Sequence, residues 1–331
     1  MSFESNHLLF NKIKKKLISS TLPSGIIIYG DKGFGKSNFV KLCIKETFEE
    51  LIKFNKNNLN NNNLIDNDTH PNVIILKKEL NEKTGKTYEN INIDQIRSLK
   101  DFIYKASILP LPKLIIIDKA DYLNINSSNA ILKFLEEPKT NTFFILLSDQ
   151  INKLLPTILS RCIKFKFKPP TFNEFTNNLL KNNISNKLDF KFLYQLTNGS
   201  VGLSKRYLNF KNENLFNNLL NLCLMKKSLN KEILEFSESI KKFDNEEFET
   251  FIFFLQFVFL NIIKIHNDID IDKNIDSDFF NKLKSLSVYI NSISCIKILE
   301  YISVNYNNLI IYNLDKKIFI LNLFNKLYST K

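Results

Sequence analysis

The sequence predicts an α/β fold: a parallel sheet flanked by helices, centred on a glycine-rich loop, followed by an all-helical remainder. In the first half, short apolar runs at 26–29, 73–76, 114–117, 143–147 and 163–167 alternate with segments of helical periodicity, the pattern of strands joined by helical crossovers. Between the first run and the first of these helices stands Gly30-Asp31-Lys32-Gly33-Phe34-Gly35-Lys36-Ser37. Beyond Pro169-Pro170 the strand signals largely vanish, and apolar residues recur at threes and fours.

The loop has the spacing of a P-loop. Glycines there let backbone N–H groups wrap phosphate oxygens, Lys36 would reach the β and γ phosphates, and Ser37 would ligate Mg²⁺. The helix behind it adds its N-terminal dipole. The whole chain has 7 glycines, and Gly25, Gly30, Gly33 and Gly35 fall here, so a glycine-poor sequence concentrates them at this turn. A tight strand-to-helix turn without a ligand is the alternative; strand, loop and helix in this order favour nucleotide.

Further along, the Asn-rich stretch 55–68 reads as a surface loop, too polar to pack. Segment 79–92, with Gly85 at its centre, reads as a β-hairpin before a helix that opens near Asp94 and carries Ile96, Leu99 and Phe102. Pro169-Pro170 cannot continue the strand before it, and a domain boundary is expected there. Phe175, Leu179 and Leu180, then Phe190, Leu193 and Leu196, mark the helices that follow. Gly199-Ser200-Val201-Gly202 holds the last two glycines, and after about 212 long amphipathic helices run to the end. The most apolar run, 251–263, is interrupted by Gln256 and Asn261 and falls short of the roughly 20 residues of a membrane span. It reads as a buried helix, with no membrane partner.

Composition bounds the rest. A formal charge of +12 suggests an acidic partner such as nucleic acid, but the Lys, Asn and Ile enrichment behind it also matches an AT-rich coding bias. Cys43, Cys162, Cys223 and Cys295 are far apart and form no CxxC pair, which predicts reduced thiols in a cytoplasmic chain with no zinc ribbon and no disulfide framework. The start, with Leu8-Leu9-Phe10 and Lys14-Lys15-Lys16, lacks the pattern of an export signal. His7, His70 and His266 are dispersed. The acidic run 268–272 has Lys273 and Phe279 where a calcium loop needs glycine and glutamate, so it reads as a solvated linker.

Lys113-Leu114-Ile115-Ile116-Ile117-Asp118 has the form of the second nucleotide motif, a buried strand ending in the carboxylate that holds the Mg²⁺ water shell. A core strand capped by an Asp gives the same pattern; two motifs in the right order reinforce each other. Hydrolysing enzymes of this type usually carry a Glu next, to activate water. Here Lys119 stands in its place, and a cation cannot serve as general base.

The run from Ser127-Ser128-Asn129-Ala130-Ile131-Leu132-Lys133-Phe134-Leu135-Glu136-Glu137-Pro138 to Ser160-Arg161-Cys162 resembles the AAA+ clamp-loader family of DNA replication, and its delta-prime branch above the others. His70-Pro71-Asn72 and Ile93-Asp94-Gln95-Ile96-Arg97 extend the likeness, which covers roughly residues 5 to 210. The resemblance implies an AAA+ P-loop core over 1–168, a small helical lid over 169–211 and a C-terminal all-α collar for oligomerisation over 212–331. It implies that Arg161 is an arginine finger reaching a neighbour's ATP, and a planar, permanently charged guanidinium suits that task. An ordinary surface arginine is the alternative. Ser148 matches the polar sensor facing the γ-phosphate, and Gly202 stands where active members carry a second sensor Arg. With Lys119 and Gly202 in those places, the loop is expected to bind ATP and Mg²⁺, with Ser37 and Asp118 meeting the metal only through nucleotide, and to hydrolyse poorly or not at all. The implied partners are the gamma/tau and delta clamp-loader subunits, and through them the sliding clamp and primed DNA. A gamma/tau motor would carry a zinc-type cysteine cluster after the P-loop helix, and this chain has none. An active AAA+ ATPase, either of gamma/tau type or another DNA-remodelling enzyme, is the second reading, supported by the intact loop. A plain DNA-binding protein with salt-sensitive affinity is the third.

Overall fold

Five parallel strands make one sheet in the computed structural model, which describes residues 3–55, 61–79, 88, 90–107, 109–182, 184, 190–209, 213–224, 231–269 and 277–328. The order is β2-β3-β4-β1-β5, with β1 (Gly25–Tyr29), β2 (Val73–Leu76), β3 (Lys113–Ile117), β4 (Thr142–Ser148) and β5 (Ile163–Lys166). Each predicted apolar run is one of these strands. β3 and β4 are buried throughout, which is why they read as unbroken apolar stretches rather than alternating ones. β5 lies at the edge, and its lysines, Lys164 and Lys166, are exposed there, where charge discourages pairing with another strand.

The two-residue period of the strands divides the core into two layers. Ile26, Ile28, Leu114, Ile116, Phe143, Ile145 and Leu147 face one side, against α1 (His7–Ile18), through Phe10, Ile13 and Leu17, and α2 (Lys36–Asn55), through Phe39, Val40, Ile44 and Phe48. Ile27, Ile115, Ile117, Phe144 and Leu146 face the other, against Ile96, Leu99 and Ile103 of α4 (Ile93–Tyr104) and Ile131 and Leu135 of α5 (Ile125–Glu136). α6 (Pro156–Arg161) then leads into β5.

The Asn-rich stretch is not all loop. Residue 55 ends α2, and Asn61–Asp66 forms the short helix α3. Ile65 is buried in the same cluster as Val73 and Phe48, so one apolar side chain anchors a helix in a segment whose composition reads as solvent. The hairpin expected at 79–92 lies largely outside the described residues, although the Tyr88 N–H donates to the Glu79 carbonyl at 2.8 Å. The acidic run 268–272 also lies mostly outside them.

The chain divides into two compact units, Met1–Leu179 and Leu180–Lys331. The first carries the sheet and extends past the prolines. Asn6 pairs with Lys168 through both its amide groups, at 2.9 and 3.0 Å, and buried Glu174 on α7 (Phe172–Leu180) accepts the backbone N–H groups of Ser5 and Thr171. Chain start and sheet end are thereby tied together. The second unit is helical: α8 (Phe190–Leu196), α9 (Val201–Asn209), α10 (Glu213–Leu224), α11 (Lys231–Lys241), α12 (Asn245–His266), α13 (Ser277–Tyr289), α14 (Ser292–Ile311) and α15 (Lys316–Tyr328). α12 is its centre. By length and composition it is the one helix, among the described residues, able to cross a membrane, yet Phe248, Phe251, Phe254, Leu255 and Phe259 are buried against the other helices of this unit. Asp244 and Glu247 close its N-terminus as a capping box, each side chain accepting the other's backbone N–H at 2.7 and 2.9 Å. Asn261, one of the polar interruptions, is buried with its amide on the Phe257 carbonyl at 2.8 Å.

Candidate nucleotide site

All strands run the same way, so the loops after their C-terminal ends share one edge of the sheet. The P-loop follows β1, Asp118 follows β3 and Ser148 ends β4, and β3, β4 and β1 are consecutive in the sheet. This edge is where open parallel sheets take ligands. The loop's shape suits a phosphate cradle: Gly33 and Gly35 hold φ of 83° and 91°, the left-handed conformations from which anion-binding backbone turns are built. Gly30 is required for a different reason. A Cβ there would stand 2.6 Å from the Phe167 carbonyl oxygen, so only glycine lets the loop leave β1 beside the chain behind β5. Phe34 is buried in the core layer of α1 and α2 and pins the loop from below. Ser37, in the first turn of α2, is half-buried.

Lys36 is 7% exposed, and its ammonium is turned onto protein oxygens: the Gly30 carbonyl at 2.5 Å, the Asp31 carbonyl at 3.0 Å and Asp149 Oδ1 at 2.5 Å. Asp149 was invisible to motif reading. It follows Ser148, and only the alignment of β4 beside β1 brings the two residues together. Ser148 is buried, and its hydroxyl donates to Asp121 Oδ1. Asp121 also accepts the N–H of Asp149 at 2.6 Å and of Gln150 at 3.2 Å, so a single carboxylate organises the turn after β4. Burial raises the Asp121 carboxyl above its ordinary value, while the hydroxyl and the two N–H groups oppose the rise.

Asp118 is half-buried at the end of β3, its N–H donating to the Leu76 carbonyl at 2.9 Å. Burial raises its carboxyl, opposed first by Lys119 and Lys77. Lys119 itself is left-handed, φ 61° and ψ 58°, and begins the turn that carries Asp121. The residues present therefore fit a nucleotide with Mg²⁺: a glycine cradle, an amine, a hydroxyl at the helix start and a carboxylate two strands away, across β4. Held there, the nucleotide would contribute the electrophilic phosphorus, and the chain's part would be to bind and orient it.

Arg161 stands elsewhere. It ends α6 ahead of β5, and β5 pairs with β1 in parallel from Ile26↔Ile163 to Tyr29↔Lys166, which places Arg161 at the N-terminal edge of the sheet. The P-loop leaves the opposite edge, about five residues or roughly 16 Å of strand away. Its side chain is 37% exposed, and the guanidinium is held by Glu136 Oε1 at 2.6 Å and by the Thr157 carbonyl at 3.0 Å. Gly202 lies in the second unit, as the second residue of α9. Gly199, at φ 77°, turns the chain into that helix, and Ser200 caps it by accepting the Leu203 N–H at 3.1 Å.

The family model described as DNA polymerase III, delta subunit, matches residues 5–171, half of the chain. The chain belongs to the delta-prime-like clamp-loader family of DNA polymerase III. The delta-prime subunit of Pseudomonas aeruginosa is 40% identical over 96 residues, 29% of this chain and 27% of that protein. That of Bacillus subtilis is 30% identical over 179 residues, 54% of this chain and 51% of that one. The gamma/tau subunit of Mycoplasma genitalium is 30% identical over 171 residues, covering 48% and 26%. The chain thus spans about half the length, or less, of these relatives. Among solved structures, a gamma-subunit-related protein of Thermotoga maritima is 21% identical, covers 97% of this chain and 98% of that one, and has a TM-score of 0.44. The sheet order, with the P-loop on a strand inside the sheet, is the AAA+ core expected of this clamp-loader family, and the helical unit follows it.

Proposed function

We propose that this chain is a delta-prime-type subunit of a clamp loader, a largely non-hydrolysing scaffold that offers Arg161 to the ATP of a neighbouring motor subunit. The observation that carries the reading is the place of Arg161: at the sheet edge opposite its own P-loop, exposed and oriented by Glu136, it suits a phosphate held by another chain. Lys119 supports the second half of the reading, because an ammonium in the general-base position leaves the attacking water without an acceptor. In this reading the chain works in the cytoplasm within a hetero-oligomer of gamma/tau-type and delta-type subunits that loads a sliding clamp onto primed DNA. In the same reading 169–211 would serve as the lid, its first helix α7 tied to the sheet unit through Glu174, and 212–331 as the collar through which subunits associate. Lys36, Ser37 and Asp118 would hold ATP and Mg²⁺, with Ser148 beside them.

The test has two arms. The purified chain alone is expected to show negligible steady-state ATP turnover; turnover matching a motor subunit would sink the scaffold reading. Arg161→Ala is expected to lower the DNA-stimulated ATPase of the reconstituted complex at least tenfold with assembly intact, and unchanged activity would remove the finger assignment. The well-formed glycine loop favours one competitor, an active ATPase of gamma/tau type, and the first arm separates the two.

A further inference from the structure

The amine that a P-loop directs at phosphate already has a full set of acceptors in this chain. An ammonium has three protons. Those of Lys36 are met by the Gly30 carbonyl, the Asp31 carbonyl and the Asp149 carboxylate, at 2.5, 3.0 and 2.5 Å. The pair is shielded, with side-chain exposures of 7% for Lys36 and 19% for Asp149. Nor is Asp149 a freely swinging rim residue. Its backbone N–H is clamped by Asp121, which also holds Ser148 and Gln150, so the turn presents the carboxylate to Lys36 from a fixed base.

A carboxylate in that position offers Lys36 the charge and the oxygen that a β or γ phosphate would otherwise supply. A phosphate oxygen reaches the amine only by replacing one of these three acceptors, and while Asp149 stays paired the incoming tail meets its negative charge at close range, where shielding from water strengthens the repulsion. We propose that Asp149 is an internal competitor for the phosphate tail: it keeps Lys36 closed, and Mg-ATP takes the loop only by displacing it. The inference rests on reading the loop as a nucleotide site and concerns how that site is held weak. It does not depend on Arg161. It also accounts for the coexistence of an intact glycine loop with Lys119: a loop closed by its own carboxylate has little need of a water-activating residue.

The experiment is equilibrium binding of Mg-ATP and of AMP to the full chain, by calorimetric titration, for wild type, Asp149→Asn and the double variant Asp149→Asn with Lys36→Met, each checked by a thermal melt. Asp149→Asn is expected to bind Mg-ATP at least tenfold more tightly than wild type. AMP, which lacks the β and γ phosphates, should gain nothing, and the double variant should lose the gain. Unchanged or weaker ATP binding by folded Asp149→Asn overturns the proposal, as does an equal gain for AMP. If Asp149→Asn melts below the assay temperature, Asp149→Ala is read by the same criteria. Absence of ATP binding in all three overturns the competitor as well. Co-purification of wild type with the other clamp-loader subunits, run alongside, decides separately whether the delta-prime reading stands.

Discussion

His70 shows how a motif residue can be structural. It is 3% exposed, lies against Phe48 with ring centroids 5.1 Å apart, and accepts the Asn72 N–H on Nδ1 at 3.1 Å. Burial pushes its pKa down to about 4. The folded chain therefore binds this proton more weakly than the unfolded chain, whose imidazole titrates near 6.5. Stability from this residue is complete above about pH 6.5 and is lost as pH falls towards 4, with a ceiling of roughly 3 kcal/mol. Between pH 7 and pH 5, urea unfolding of wild type should lose roughly 2 kcal/mol that His70→Gln does not lose. Parallel pH dependences for the two chains would show that the imidazole stays solvated. The dispersed histidines held no constellation in the sequence, and His70-Pro71-Asn72 carries no local sign that this imidazole is buried while that of His7 is exposed; the packing beside Phe48 decides it.

At the scale of elements, the first residue of β3 does work its motif conceals. Lys113 is buried, and its ammonium donates to the Phe102 carbonyl at 2.6 Å, to the Ile103 carbonyl at 3.3 Å and to the Lys105 carbonyl, closing the C-terminus of α4. A cation there meets the negative end of the helix dipole and the carbonyls that the helix leaves unpaired. In the sequence, Lys113 merely precedes an apolar run. Lys113→Met keeps the stem but strands those carbonyls, and should lower stability by about 1–3 kcal/mol in urea unfolding. A change under about 0.5 kcal/mol would mean that water replaces the ammonium. The elements themselves were legible wherever the apolar period was long. Where it was not, in α3, one buried Ile65 outweighs a run of asparagines, and only the neighbouring Val73 and Phe48 reveal it.

Across the whole molecule, the four cysteines report on both cores. Cys43 and Cys162 are buried in the sheet unit, Cys223 and Cys295 in the helical unit, and all four are free. Burial pushes Cys162 up to about 11 and the other three up to about 12. At pH 8 each is a thiolate in roughly one molecule per thousand or fewer, and the thiolate is the reactive form. The native chain should therefore be almost inert to a disulfide reagent over minutes and titrate four thiols in denaturant. Rapid native labelling of one thiol would place local opening in the unit that carries it.

The sequence by itself determined the strands, the glycine loop, the order of the motifs and the change from sheet to helices, because each rests on neighbours within a few turns of chain. Apolar period and glycine spacing are local properties, and so is the Ser-Arg-Cys triplet on which the resemblance partly rests. Only the tertiary structure decided that Lys36 closes on Asp149, that Asp121 sets that carboxylate, and that Arg161 faces away from its own loop. Those relations depend on which strands lie side by side and in what register. Parallel pairing brings residues more than a hundred positions apart within hydrogen-bond reach, and places two motif residues on opposite edges of one sheet, without a trace in the spacing of either.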